Sequence, residues 1–391
     1  MNNIKLTKYY KEPNNKYDVV SVVAFRLKDN YKSSMIYYTG LKRLVEMMPK
    51  HLSGIYLRIY YDDSIIKPQH NNRDIDNEII NYWIPLFEQI KTHKHVQLTH
   101  YDCPQFKIKG SIYHDGLFGT VVRFIPLFDY LDNNNIGTVI ISDIDSPNII
   151  LENSKNQLEF MKMNNTFVHY RTGSCYSSMP RYDLFTDEYI KNFPQMILGG
   201  NIVTKIKFPH EILDDFLVIM KNLNVKGNDI LKRFIENERK SIYKSLDVNM
   251  ESIFVYGIDE YILAKYIAEY IVVNKIPYSY TIYNGLERAL YSWYLRSDNF
   301  KDNAKYIDIM KQLLGKYYDD TKTVAENYNI LDKIIYKTTS PDKVYIYNNI
   351  FKVFKELEID KTYEKYDLRW RDINCVNLYP YTETQMVVGR F

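Results

Sequence analysis

Short apolar runs alternate with helix-like segments between Tyr17 and Asp145, and this alternation limits the possible folds more than any other feature of the chain. The runs are short, rich in β-branched residues and flanked by polar residues, which is typical of strands buried on both faces of a parallel sheet. Strands are predicted at 17–25, 54–61, 95–101 and 137–142, and helices at 35–48, 74–90 and 117–131. This order predicts an α/β domain with a mostly parallel central sheet.

Prolines modify the predicted helices, because proline removes a backbone donor and clashes with the preceding turn. Pro49 is expected to stop the first helix. Pro85 is expected to kink the second helix or end it early, and Pro126 to distort the third.

The later chain changes character. Strands are predicted at 166–170 and 196–203, and helices at 209–223, 229–244 and 259–273. Beyond about Leu286 strand signals nearly vanish, and apolar residues from Ile307 to Tyr317 repeat at helical spacing. Ser340-Pro341 is typical of a helix start. We therefore expect an α/β domain over 1–285 and a helical C-terminal extension over 286–391.

Composition and charge exclude several classes of protein. Lys and Arg total 51 against 48 Asp and Glu, a net charge of +3, which is too balanced to indicate nucleic-acid binding. The three cysteines are far apart and fit neither a disulfide framework nor a zinc site, so a reducing compartment is expected. Since no apolar run approaches roughly 20 residues and no signal peptide is visible, we expect a cytoplasmic protein without a membrane span. The 38 Tyr residues are typical of an AT-rich genome, such as that of a large DNA virus or an AT-rich microbe, and a virus would place the protein in the host cytoplasm or the virion.

Two aspartates follow the clearest predicted strand. Ligands of open α/β sheets bind beyond the carboxyl ends of the strands, and this is where Asp143 and Asp145 lie. In extended backbone, residues two apart point to the same side, so the two carboxylates would face one cation together. Oxygen ligands suit Mn²⁺ or Mg²⁺, which could also hold a diphosphate. The alternative is a pair of strand-end or turn aspartates.

The segment Val139–Asp145, with its preceding strands and helix, resembles the D-x-D region of the glycosyltransferase-A superfamily. The resemblance covers roughly 17–284 and implies a sheet of that type. It also implies that the end of the first strand and the helix before the D-x-D contact the nucleotide or its phosphates. The residues at these positions, with an acid after the second strand that would meet the base or ribose, are Ala24, Phe25, Arg26, Arg123 and Asp62. A surface arginine and a turn acid are the alternatives for the last two.

Two later segments extend the resemblance. Leu198–Asn201 resembles the small-residue strand on the acceptor side, where Gly199 and Gly200 would let backbone approach a ligand closely and Asn201 would follow them. A bulge or tight turn is the alternative. Asp259 and Glu260 match an acid at a helix start that faces the reacting sugar. Asp259 would act as general base or stabilise positive charge, unless it only favours the helix dipole.

The resemblance implies a hexosyltransferase-like enzyme that moves a sugar from a UDP- or GDP-sugar to a glycan, protein or small-molecule acceptor. One alternative is an interaction protein that keeps the fold without catalysis. Another is a nucleotidyl- or phosphotransferase, although the chain contains no glycine-rich phosphate loop. No C-terminal histidine motif completes the metal site, and His169 and His210 are the candidate third ligands.

Overall fold

The computed structural model describes residues 4–28, 34–69, 72–145, 197–223, 229–240, 252–283 and 304–335, most of 151–173, and short pieces between 345 and 389. The chain divides into two compact units. The first comprises 1–170, 183–279 and 388–391, and the second 171–182 and 280–387. The predicted boundary at 285/286 and the predicted helix start at Ser340-Pro341 lie outside the described residues.

Most of the strands lie in the first two hundred residues. They are β1 (Lys5–Lys8), β2 (Tyr17–Ala24), β3 (Ile55–Tyr61), β4 (Val96–Asp102), β5 (Ile136–Ile141), β6 (Val168–Gly173), β7 (Ile197–Thr204), β8 (Tyr278–Tyr283) and β9 (Val387–Gly389).

The sheet of the first unit begins with the order β1-β4-β3-β2-β5-β7. Its four central strands are parallel, with Val20 opposite both Leu57 of β3 and Ile140 of β5. The flanking strands β1 and β7 run antiparallel to β4 and β5. Every residue of β5 is buried, as a strand covered on both faces requires. The predicted α/β fold with a mostly parallel central sheet is confirmed.

Helices alternate with strands as expected from β2 to β5, whereas the later helices follow one another along the chain. The helices are α1 (Ser34–His51), α2 (Arg73–Glu78), α3 (Ile84–Ile90), α4 (Phe118–Val122), α5 (Glu211–Lys221), α6 (Asp229–Lys240), α7 (Ile258–Ile262), α8 (Glu269–Val273), α9 (Ala304–Leu314) and α10 (Val324–Ile335). A π-helical turn at Ile79–Trp83 joins α2 to α3, and another at Leu263–Ala268 joins α7 to α8.

The prediction for Pro49 was wrong, whereas Pro126 disrupts the third helix as expected. Pro49 lies inside α1 and does not stop it, because it falls in the last turn and Leu52 still donates its N–H to the carbonyl of Met48 at 2.8 Å. The single helix predicted at 117–131 is wrong in extent. Its first turn is α4, and Pro126 then sits in a separate 3₁₀ turn at Ile125–Leu127. Pro85 occupies the start of α3 directly after the π-helical turn, close to the predicted kink.

The core that supports the carboxyl edge of the sheet lies between α1, α3 and the central strands. In α1 the buried positions recur every three or four residues, so one stripe of the helix packs on the sheet. Trp83, at the end of the π-helical turn, and Phe87 of α3 are buried and stack on each other in this layer. Ile144, directly after β5, belongs to the same apolar cluster.

The second unit contains α9 and α10. Their buried faces carry Met310, Leu313 and Leu331, as the helical spacing predicts. Asn327 is fully buried and fixes the turn between the helices, since its side-chain amide donates to the carbonyl of Asp319 at 2.9 Å while its side-chain oxygen accepts the Asp319 N–H. Across the described parts of both units, no helix is long and apolar enough to cross a membrane.

Candidate functional site

The residues that follow β5 alternate between exposed and buried. The Asp143 side chain is 54% exposed, Ile144 is buried in the apolar cluster, and Asp145 is half-buried. The buried isoleucine therefore anchors the segment, while the two aspartates on either side of it remain accessible to solvent. An oxygen-only donor pair of this kind fits a hard divalent cation such as Mn²⁺ or Mg²⁺.

Arg123 connects this segment to a distant helix. Its side chain is only 4% exposed at the end of α4. One terminal nitrogen donates to the carbonyl of Ser142 at 3.1 Å and to Asp143, and the other donates to Asp259 Oδ2 at 2.7 Å. Burial opposes the charged guanidinium, but the charges of Asp143 and Asp259 outweigh it and raise the pKa of Arg123. The predicted phosphate contact of Arg123 stays a prediction, because its nitrogens here bind carboxylates.

Asp259 lies in the first turn of α7 with a side chain that is 14% exposed. Gly257, just before the helix, has φ of +77°, a conformation that glycine adopts without strain. The chain therefore turns sharply into α7, and this turn brings the Asp259 carboxylate to Arg123. Asp259 Oδ1 accepts the backbone N–H of Glu260 at 3.0 Å, and the Glu260 side chain is partly exposed beside it.

Gly199 and Gly200 of β7 lie against the carboxylates of Asp259 and Asp143, respectively. A Cβ atom at Gly199 would come within 2.6 Å of Asp259 Oδ2, and one at Gly200 within 2.5 Å of Asp143 Oδ2. The glycines therefore permit a close approach, as predicted, but in this structure the approaching groups are the site's own carboxylates. The side chain of Asn201 lies outside the described part of the chain.

Residues predicted separately thus meet at one edge of the sheet. Asp143, Arg123, Asp259 and the two glycines come from four different elements. The described contacts there join one guanidinium to two carboxylates, those of Asp143 and Asp259, and Asp145 follows Asp143 by two residues.

The residues at the end of β2 contact other parts of the protein. Ala24 is buried in the core, and the ring of Phe25 lies where a Cβ on Gly119 would be. Arg26 is buried and pairs with Glu78 at 3.0 Å. The nucleotide contacts assigned to these residues stay predictions, and for Ala24 only the backbone is available.

The carboxylate of Asp62 is buried and bound by neighbouring protein groups. It is 1% exposed, receives a hydrogen bond from His114 Nδ1 at 2.7 Å and caps the following turn by accepting the Ser64 N–H at 3.1 Å. His114 Nε2 accepts the backbone N–H of Cys103 at 3.0 Å, which places the ring proton on Nδ1. The turn-acid alternative therefore describes Asp62 better than a ribose contact. His114 was missed because no sequence pattern distinguishes this loop histidine.

Asp63 follows Asp62 directly and is the more exposed of the two. It accepts from His100 at 2.9 Å and Lys67 at 3.1 Å, and Lys107 lies 3.7 Å away. Burial alone would raise the pKa of its carboxyl group, but the bonds from Lys67 and His100 outweigh burial and lower it.

Neither candidate histidine lies with the aspartate pair. His169 is buried, with Nδ1 2.8 Å from the hydroxyl of Ser279. His210 follows β7, and because β7 runs antiparallel to β5 its end lies at the opposite edge of the sheet from Asp143. There His210, Asp129 and Glu211 form a group with metal-ligand spacing, the one such group of three or more found among the described residues.

Comparison with models of protein families and with curated proteins found no match to the chain. Its function is therefore inferred from the chemistry of the site.

Proposed function

We propose that the first unit is a metal-dependent glycosyltransferase of the glycosyltransferase-A type, which moves a sugar from a UDP- or GDP-sugar to an acceptor. The proposal is carried by one observation: the buried Arg123 holds Asp143, after β5, and Asp259, at the start of α7, at one edge of the sheet. Ligands of open α/β sheets bind at this edge.

Asp143 and Asp145 are the residues that would hold Mn²⁺ or Mg²⁺. Their outward placement on either side of the buried Ile144 supports this role. When bound, the ion supplies positive charge that neutralises the diphosphate leaving group.

Arg123 and Asp259 have complementary roles in the proposal. Arg123 is a permanent cation that fixes the orientation of the Asp259 carboxylate through Oδ2. A carboxylate held in this way can accept a hydrogen bond from an acceptor hydroxyl, or stabilise positive charge at the anomeric carbon. Glu260 is the next residue in the first turn of α7 and would be the second acid at the reacting sugar.

Thermal unfolding of the full chain tests the proposal. UDP- and GDP-sugars are added with and without Mn²⁺ to the wild type and to Asp145→Ala. At a ligand concentration about a hundred times Kd, binding stabilises the folded state by about 2.7 kcal/mol. We expect metal-dependent stabilisation in the wild type and its loss in Asp145→Ala.

Asp129→Ala is the matched control, because Asp129 is an exposed acid of the second metal-ligand group at the opposite edge. It should keep the full response. Transfer of label from a radioactive donor to an acceptor, or to water, would then establish turnover. A wild type that responds to no nucleotide would contradict the proposal and favour an interaction protein.

A further inference from the structure

Two glycines from different elements touch the segment Asp143–Asp145. A Cβ at Gly40, in the middle of α1, would clash with the carbonyl oxygen of Ile144 and lie 2.9 Å from its carbonyl carbon and 3.3 Å from the Cα of Asp145. A Cβ at Gly200 in β7 would lie 2.9 Å from Cγ of Asp143 and 3.3 Å from its backbone nitrogen.

Helix propensity alone does not favour glycine at position 40. Glycine in a helix interior is about 1 kcal/mol less favourable than alanine. Gly40 is buried, its neighbour Leu41 packs in the core, and the backbone of Ile144 fills the space that a side chain would occupy. The close contact between α1 and the backbone of Ile144 therefore explains why residue 40 is glycine.

We propose that Gly40 and Gly200 are positioning residues that set the place of the metal-binding carboxylates. This inference rests on the proposed function, since it concerns the cation held by Asp143 and Asp145. Gly40 acts on the segment through the peptide group of Ile144, and Gly200 acts on the side chain of Asp143.

The segment has little freedom to adjust to an added methyl group at Gly40. The Ile144 side chain is fixed in the apolar cluster, and Asp143 is held by Arg123. A shift of the Ile144 peptide would therefore turn the neighbouring carboxylates relative to each other. Metal–ligand distances tolerate only about 0.2 Å, so a displacement of this kind weakens coordination.

The test compares Gly40→Ala and Gly200→Ala with Gly137→Ala as a matched control. Gly137 lies in β5 at the end away from the site, and a Cβ there would come within 2.6 Å of the Asp18 carboxylate, much as one at Gly200 meets Asp143. Mn²⁺ affinity of the full chain is measured by titration calorimetry with Asp129→Ala present in every protein, which removes a ligand of the second metal-ligand group, and stability is measured by urea unfolding.

We expect Gly40→Ala and Gly200→Ala to weaken Mn²⁺ binding about 10-fold to 100-fold, the range found for residues that orient metal ligands. Gly137→Ala should leave Mn²⁺ affinity unchanged even where it lowers stability. A purely structural role of the glycines would lower stability in all three variants and change the affinity in none.

The outcomes separate the two proposals. If the wild type binds Mn²⁺ through Asp145 and both glycine variants bind it equally well, the positioning role is overturned and the proposed function stands. If the wild type binds no Mn²⁺, or Asp145→Ala binds it as well, both are overturned. Should Gly40→Ala fail to fold, Gly200→Ala still decides, because its methyl group meets the partly exposed carboxylate of Asp143 and not a buried peptide group.

Discussion

Replacing Arg123 by methionine tests the centre of the site most directly. Methionine keeps much of the length and apolar stem of the side chain but removes the guanidinium that binds Asp143 and Asp259. The two carboxylates then lose their common partner, and so does the carbonyl of Ser142.

The expected loss follows from the exposure of each partner. Removing one member of a buried ion pair typically costs 3–5 kcal/mol, because a buried charge is left uncompensated. Asp143 is 54% exposed, so water replaces most of what it loses. Asp259 is 14% exposed and bears most of the cost. We expect the free energy of unfolding of the first unit to fall by about 3 kcal/mol.

Urea unfolding followed by circular dichroism measures this loss. Arg43→Met, on the exposed face of α1, is the matched control and should change stability by no more than about 0.5 kcal/mol. Adding Asp259→Asn to Arg123→Met should restore about 1–3 kcal/mol, since the uncompensated charge is gone. A loss below about 1 kcal/mol in Arg123→Met would refute the view that Arg123 holds a buried charge in place.

Two further predictions concern residues outside the proposed site. Burial, assisted by the charges of Arg58 and Lys16, lowers the pKa of Lys207 to about 7. Between pH 7 and 9 the unfolded chain therefore keeps a proton that the folded chain has released, so wild-type stability should rise with pH by up to about 1.4 kcal/mol per unit, relative to Lys207→Met, in urea titrations at each pH. Parallel pH profiles of the two proteins would exclude this. His114→Phe leaves the buried Asp62 carboxylate without its ring donor and should lower the free energy of urea unfolding by about 3 kcal/mol. An unchanged denaturation midpoint would show that the His114–Asp62 pair contributes nothing net.

Local pattern was sufficient to predict the strands and the aspartate segment. Short length, β-branched content and polar flanks favour a strand over a buried helix segment, and β2, β3 and β5 were placed within a residue or two. Asp143 and Asp145 are accessible on either side of the buried Ile144, although β5 ends at Ile141 and residues 144 and 145 lie in a bend.

What the sequence could not supply were partners that are far apart along the chain. Arg123 and Asp259 were each singled out from the family resemblance, but their pairing depends on the path of β7 and α7. Asp62 was assigned to a ligand because its partner, His114, comes from a loop with no periodic signal. The π-helical turn at Ile79–Trp83 was missed for a related reason, since one extra residue in a turn barely changes the apolar spacing.

The two partners of Arg123 leave the ribosome at very different times. Asp143 follows Arg123 by 20 residues, whereas Asp259 follows it by 136. At the usual pace of translation, about 5–20 residues per second, the second carboxylate emerges on the order of ten seconds after the first. A nascent or stalled chain thus contains Arg123 and its first carboxylate partner, Asp143, well before the second partner, Asp259, has been made.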